Sequence, residues 1–120
     1  MTGDQALGEL LDVSEDVVAA LILDAGGEPV ASTAGEDETR AAAEIALGML
    51  AYAGALRTGA SVGRLEAVTA DGHVFAVTDE GGTIVAATGR DPVAGLVYHD
   101  LRATLRKLRR RSRRKANAPS

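Results

Sequence analysis

The apolar positions change period several times along the chain, and each change marks an element. Leu7, Leu10 and Leu11 fall at i, i+3 and i+4, a short helical stripe that closes before Asp12. Val17 to Leu23 is then apolar at every position. An extended chain of that kind is greasy on both faces and belongs in the middle of a sheet covered on each side. Asp24 to Glu28, with two glycines, supplies turn chemistry. Pro29 to Thr33 returns as a second strand whose leading proline suits an edge. These two strands predict a β-hairpin.

Residues 36–57 predict a helix. Glu36, Asp37 and Glu38 stand at its start, Arg57 at its end, and Thr58-Gly59 provides the stop. Three short strands follow at about Val62–Ala70, His73–Asp79 and Thr83–Thr88. Asp71-Gly72 is a two-residue hairpin signal, and Glu80-Gly81-Gly82 a second turn. Asp91-Pro92 reads as a helix opening, with an N-cap acceptor followed by proline in the first turn. Val93, Val97, Leu101, Leu105 and Leu108 then mark one face. The order α-ββ-α-βββ-α predicts an α+β fold, one five-stranded antiparallel sheet with helices on both faces. Strands 1 and 5, apolar on both sides, are expected at its centre.

The middle helix is too apolar for a single covered face. Ile45, Met49, Tyr52 and Leu56 cluster within about 60° and form a sheet-facing stripe. Leu47, Leu50 and Gly54 lie opposite, with Ala51 at their margin, and nothing charged stands between Ile45 and Leu56. Leaving Leu47 and Leu50 in water forgoes roughly 1.5–3 kcal/mol each. Gly48, Ala51, Gly54 and Ala55 would let a second backbone come close. A loop or another helix of the same chain could cover that side. The remaining helices, however, are needed on the other face of the sheet, which favours a second copy around a two-fold axis.

Composition sharpens this picture. At 120 residues the chain is one domain of ordinary size, and with only Tyr52, Phe75 and Tyr98 as aromatics its core must be Ala, Val and Leu in thin layers. The absence of cysteine removes disulfides, thiolate metal sites and thiol nucleophiles. No apolar run is long enough to span a bilayer and no leader pattern opens the chain, so a soluble, cytoplasmic protein is expected. The net charge of −4 conceals a split: residues 1–100 carry 17 acidic and 4 basic side chains, residues 101–120 carry 9 basic and no acidic ones. The expected organisation is a domain over 1–108 and a basic, disordered tail over 109–120.

Candidate chemistry is sparse. Gly54 to Ser61 mimics the phosphate loop G-x-x-x-x-G-K-S/T, but Ala60 stands where lysine is required, and it follows a helix instead of a strand. His73 opens a strand, where a hydrogen-bonded or solvated histidine is usual. His99 and Asp100 diverge by about 100° on a helix and cannot pair. Ser14, Ser32 and Ser61 have no His/Asp constellation. Arg57 or Arg64 could reach as a finger into a partner's phosphate-transfer site, although exposed arginines are common at such positions. No catalytic, cofactor-binding or metal-binding residue is assigned, and no enzyme is expected. The tail residues Arg109, Arg110, Arg111, Arg113, Arg114 and Lys115 could bind anionic lipid or nucleic acid, or serve only solubility.

Val17 to Asp24 followed by Gly26-Gly-Glu-Pro-Val-Ala-Ser32, then the Ala-rich helix, meander and closing helix, resembles the Roadblock/dynein-light-chain domains over residues 5–108. That family includes bacterial regulators of Ras-like GTPases. The resemblance implies a profilin-like sheet of order 2-1-5-4-3. It also implies a homodimer in which the middle helix and third strand meet their counterparts. On that reading Leu47, Leu50, Ala51, Gly54, Arg64 and Glu66 form the dimer or partner interface. The implied role is non-catalytic signalling, as a regulator or adaptor of a small Ras-like GTPase. The alternative is a dimeric module that binds an anionic surface through its Arg-rich tail.

Overall fold

The computed structural model describes residues 2–24, 26–33, 35, 48, 63–68, 70, 72–79 and 82–117, the last nine as backbone. Helix α1 spans Gly3–Val13 and opens with a reciprocal capping box. The Gln5 N–H donates to Thr2 Oγ1 at 3.2 Å, and the Thr2 N–H donates to Gln5 Oε1 at 2.9 Å. Its apolar stripe buries Ala6, Leu7 and Leu10, and the Ser14 N–H closes the last turn on the Leu10 carbonyl.

Strands β1 (Val17–Asp24), β2 (Pro29–Ser32), β3 (Arg64–Val68), β4 (His73–Asp79) and β5 (Gly82–Thr88) form one antiparallel sheet in the order β2-β1-β5-β4-β3. The two strands without a polar face, β1 and β5, sit inside it, and Pro29 opens an edge strand, as their compositions require. The β1–β2 turn is held by Asp24, whose Oδ1 accepts from the Gly26 and Glu28 N–H groups at 2.9 and 3.0 Å, with Gly27 at φ 87°. Thr33, just past β2, continues the pairing: its N–H donates to the Ala20 carbonyl, and its Oγ1 accepts from the Ala20 N–H.

Helix α2 (Ala94–Asn117) packs beside α1 on one face of the sheet, α1 over β1 and β2, α2 over β4 and β5. Leu7, Leu10, Ile22, Phe75, Val77, Ile84, Ala86, Val97, Leu101 and Leu105 meet in that core. On the other face Leu21, Leu23, Ala76 and Val85 are buried, with Leu65 and Val74 against them. Both described helices lie on the first face. The middle helix expected over 36–57, and with it Leu47, Leu50, Ala51 and Gly54, lies outside the described residues, apart from Gly48, which is helical and exposed. No described helix is long and apolar enough to cross a membrane.

Three local expectations need correction. Asp91 does not cap α2. It sits at φ 59°, in the left-handed region that Asp tolerates, and the helix opens two residues later. There the Val93 carbonyl accepts from Leu96 and Val97, while the Val93 N–H donates to Asp16 Oδ2 at 2.9 Å, a carboxylate from 77 residues away standing at the positive helix end. Strand β3 ends at Val68, which pairs with His73, and so stops short of the Ala70 expected from sequence. Ala70 has left the ladder, and its carbonyl accepts from Arg90 Nη2 at 3.3 Å. Finally, α2 does not stop with its apolar stripe at Leu108. Residues 109–117 continue its helical backbone. Arg and Lys are good helix formers, no Gly or Pro stands between Gly95 and Pro119, and cations suit a helix C-terminus.

Candidate interaction surface

Strand β3 reads Arg-Leu-Glu-Ala-Val and ends the sheet, so the alternation of a half-covered strand decides which side chains it presents. Leu65 turns to the far core. Arg64 and Glu66 take the other face, opposite Val77 and Phe75 in the β4 register. That is the face on which α2 lies. Two of the six interface residues expected from sequence are therefore described, and they stand together; the other four fall in the undescribed middle segment.

The polar side chains of β3 are engaged with neighbours. His73 lies diagonally across from Glu66, and its Nδ1 is 2.6 Å from Glu66 Oε2. The imidazole stacks on Phe75 with centroids 6.0 Å apart, and Phe75 meets Tyr98 edge-on at 5.1 Å and 87°. The Arg64 guanidinium closes the row, 4.9 Å above the Tyr98 ring. One continuous line thus runs Glu66–His73–Phe75–Tyr98–Arg64, tying the edge strand to α2. Burial raises the Tyr98 phenol above its ordinary value near 10. The Glu66 carboxylate adds to that rise, and the Arg64 guanidinium partly opposes it.

The groups of this row are engaged with one another. Arg64 rests on a ring of its own domain. The Glu66–His73 pair is one carboxylate and one imidazole on an exposed rim, and among the described residues no group of three or more His, Asp or Glu could hold a metal ion. Ser14 is buried at the end of α1, and His99 is exposed on α2. Beyond the row, Val68 on β3 is 74% exposed, unusual for a strand valine, and among the described residues β3 has a partner strand on one side only. An edge strand with an open backbone ladder and an exposed valine is a template for a further strand, which the charges of Arg64 and Glu66 restrict.

Sequence reasoning placed Arg64 and Glu66 at a surface but missed Tyr98 and His73 as their partners. The missing signal was the β3–β4 register, which fixes who faces whom. The cations Arg109, Arg110, Arg111, Arg113, Arg114 and Lys115 do not join this cluster in the fold; they follow Leu108 along α2.

No protein-family model matches the sequence, and no curated protein matches it. Solved structures do. A Roadblock/LC7 domain from Streptomyces avermitilis superposes with a TM-score of 0.80 over 91% of this chain and 96% of its own, at 16% identity. The fold is that of the Roadblock/LC7 domains. A second Roadblock/LC7 domain from Streptomyces avermitilis matches with a TM-score of 0.70 at 20% identity, covering 87% of this chain and 95% of its own. Myxococcus xanthus MglB matches at 0.65 with 17% identity over 88% and 80%. The sheet order implied by the resemblance in the sequence is the order observed, so the Roadblock/LC7 fold rests on topology as well as superposition.

Proposed function

We propose that this chain is a non-catalytic, homodimeric regulator or adaptor of a small Ras-like GTPase, acting in the cytoplasm of a bacterial cell. The observation that carries the reading is the Roadblock/LC7 fold, in which the chain is similar to MglB over 88% of its length. Two features of the chain support it. Edge strand β3 offers an open ladder with Val68 exposed, and the sequence of the middle segment holds a second apolar side, Leu47, Leu50, Ala51 and Gly54, that one sheet face cannot cover. In the proposed dimer these two surfaces meet their counterparts across a two-fold axis. Arg64 and Glu66 then sit at the rim, where charge sets partner choice more than affinity.

The test titrates the purified chain into Ras-like GTPases of the same cell, each loaded with GTP or GDP. Binding in the micromolar range to one GTPase, stronger in one nucleotide state, is expected. Equal absence of binding in both states across all of them contradicts the proposal.

A further inference from the structure

Helix α2 carries nine cations, eight of them in its second half, and their spacing on a continuous helix has a geometry that a flexible tail would lack. The core contacts of this helix run through Val97, Leu101 and Leu105 and end with Leu108. Past that point nine more residues keep helical backbone, roughly 13 Å of axis. Arg102, Arg106, Arg109 and Arg113 occupy i, i+4, i+7 and i+11, a single row about 16 Å long at one flank of the core stripe. Arg102 and Arg106, which begin the row, are exposed. Arg111 and Arg114 take the opposite flank with Lys107, which is paired to Glu9 of α1 at 3.3 Å.

We propose that this cationic half of α2 binds the phosphate backbone of double-stranded DNA without sequence preference. The inference stands on the helix alone and is independent of the GTPase reading. Duplex DNA presents one negative charge per about 1.7 Å of axis, and its major groove admits an α-helix between two phosphate-lined walls. A helix with cations on both flanks complements both walls. Other polyanions fit less well. Between Arg109 and Asn117 the only apolar residue is Ala116, so no greasy face exists to enter a bilayer. No aromatic residue follows Tyr98, so unpaired bases have nothing to stack on. The major groove of duplex RNA is too deep and narrow for a helix. The acidic body, with 17 carboxylates before residue 101, meets the cations of α2 at Lys107, whose Nζ is 3.3 Å from Glu9 Oε2, and in the proposed complex it is the arginines that meet the phosphates.

Fluorescence anisotropy of the full chain with a labelled 24-base-pair random duplex tests this, run from 50 to 200 mM salt. Five to seven phosphate contacts predict a log–log salt slope of about −4.5 to −6. Changing Arg109, Arg110, Arg111, Arg113 and Arg114 together to Gln keeps helix propensity. It is expected to weaken binding at least about 100-fold at 50 mM salt, with the slope falling by about one per arginine removed. The same five positions changed to Lys should bind within about threefold of the parent, with circular dichroism confirming equal helix content in all three proteins. Vesicles of 30% phosphatidylserine in phosphatidylcholine and the labelled single strand are the competing probes. Undiminished duplex binding by the Gln variant overturns the proposal. So does a slope shallower than −2, or tighter binding of either competing probe at equal salt.

Discussion

An alanine at position 72 would place its Cβ against the Thr88 carbonyl oxygen, far inside van der Waals contact, and 2.9 Å from the carbonyl carbon and oxygen of Gly89. All three neighbours are backbone atoms that cannot swing away. Gly72 is buried, directly before the His73 pairing that fixes β4 between β3 and β5. Relief requires the β3–β4 connection to move by about an ångström, and overpacking of this kind costs about 1–3 kcal/mol or more. We expect Gly72→Ala to lose about 3 kcal/mol, near 10 °C in Tm for a domain of this size. Gly8 makes the control. It is exposed within α1, nothing lies within 4 Å of a Cβ built there, and alanine in a helix interior gains about 1 kcal/mol over glycine. One chemical change should therefore move stability in opposite directions at two sites. Urea unfolding followed by far-ultraviolet circular dichroism reads both, at fixed protein concentration because dimerisation would shift the midpoint. A Gly72→Ala midpoint within 0.5 kcal/mol of the parent would refute the steric reasoning and the register built on it.

Three further outcomes are expected, two from the geometry and one from the apolar pattern of the middle segment. The raised Tyr98 pKa means the folded state favours the neutral phenol, so its contribution is fully present below about pH 10 and disappears as pH climbs through the folded value. Tyr98→Phe should flatten the alkaline fall of the urea midpoint, and tyrosinate absorbance in a Tyr52→Phe background should show Tyr98 titrating above 10. Asp16→Ala removes the carboxylate that receives the Val93 N–H and should cost about 1 kcal/mol, measured by thermal melting. Leu47→Glu should yield a folded monomer by light scattering; a surviving dimer would move the interface elsewhere.

The parts of the fold legible in the sequence were those set by neighbours a few residues apart. Val17 to Leu23 announced an interior strand because it has no polar side to give to water, and Asp24 to Gly27 announced its turn. The order in which five strands lie is not a local property, and only likeness to the Roadblock/dynein-light-chain domains supplied it. The Thr2-x-x-Gln5 capping box is a local signature of the same kind. Leu108 misled differently: hydrophobic periodicity reports where a helix is covered, whereas propensity and the macrodipole report how far it continues.

Asp91 shows the opposite limit. Its capping signature is sound in isolation, yet the chain leaves β5 at Thr88 and must turn onto the helical face first, so the cap role passes to a distant carboxylate on Asp16. The candidate surface was half legible for the same reason. Alternation along β3 separates Arg64 and Glu66 from Leu65, but the contacts with His73 and Tyr98 depend on a register and a helix position that no local pattern encodes.

Native mass spectrometry of the chain mixed with Ras-like GTPases of the same cell, each loaded with GTP or GDP, tests the functional account most directly. The account predicts a complex holding two copies of the 12.3 kDa chain together with a GTPase. A spectrum showing only single 12.3 kDa chains, unshifted by every GTPase tried, would contradict it.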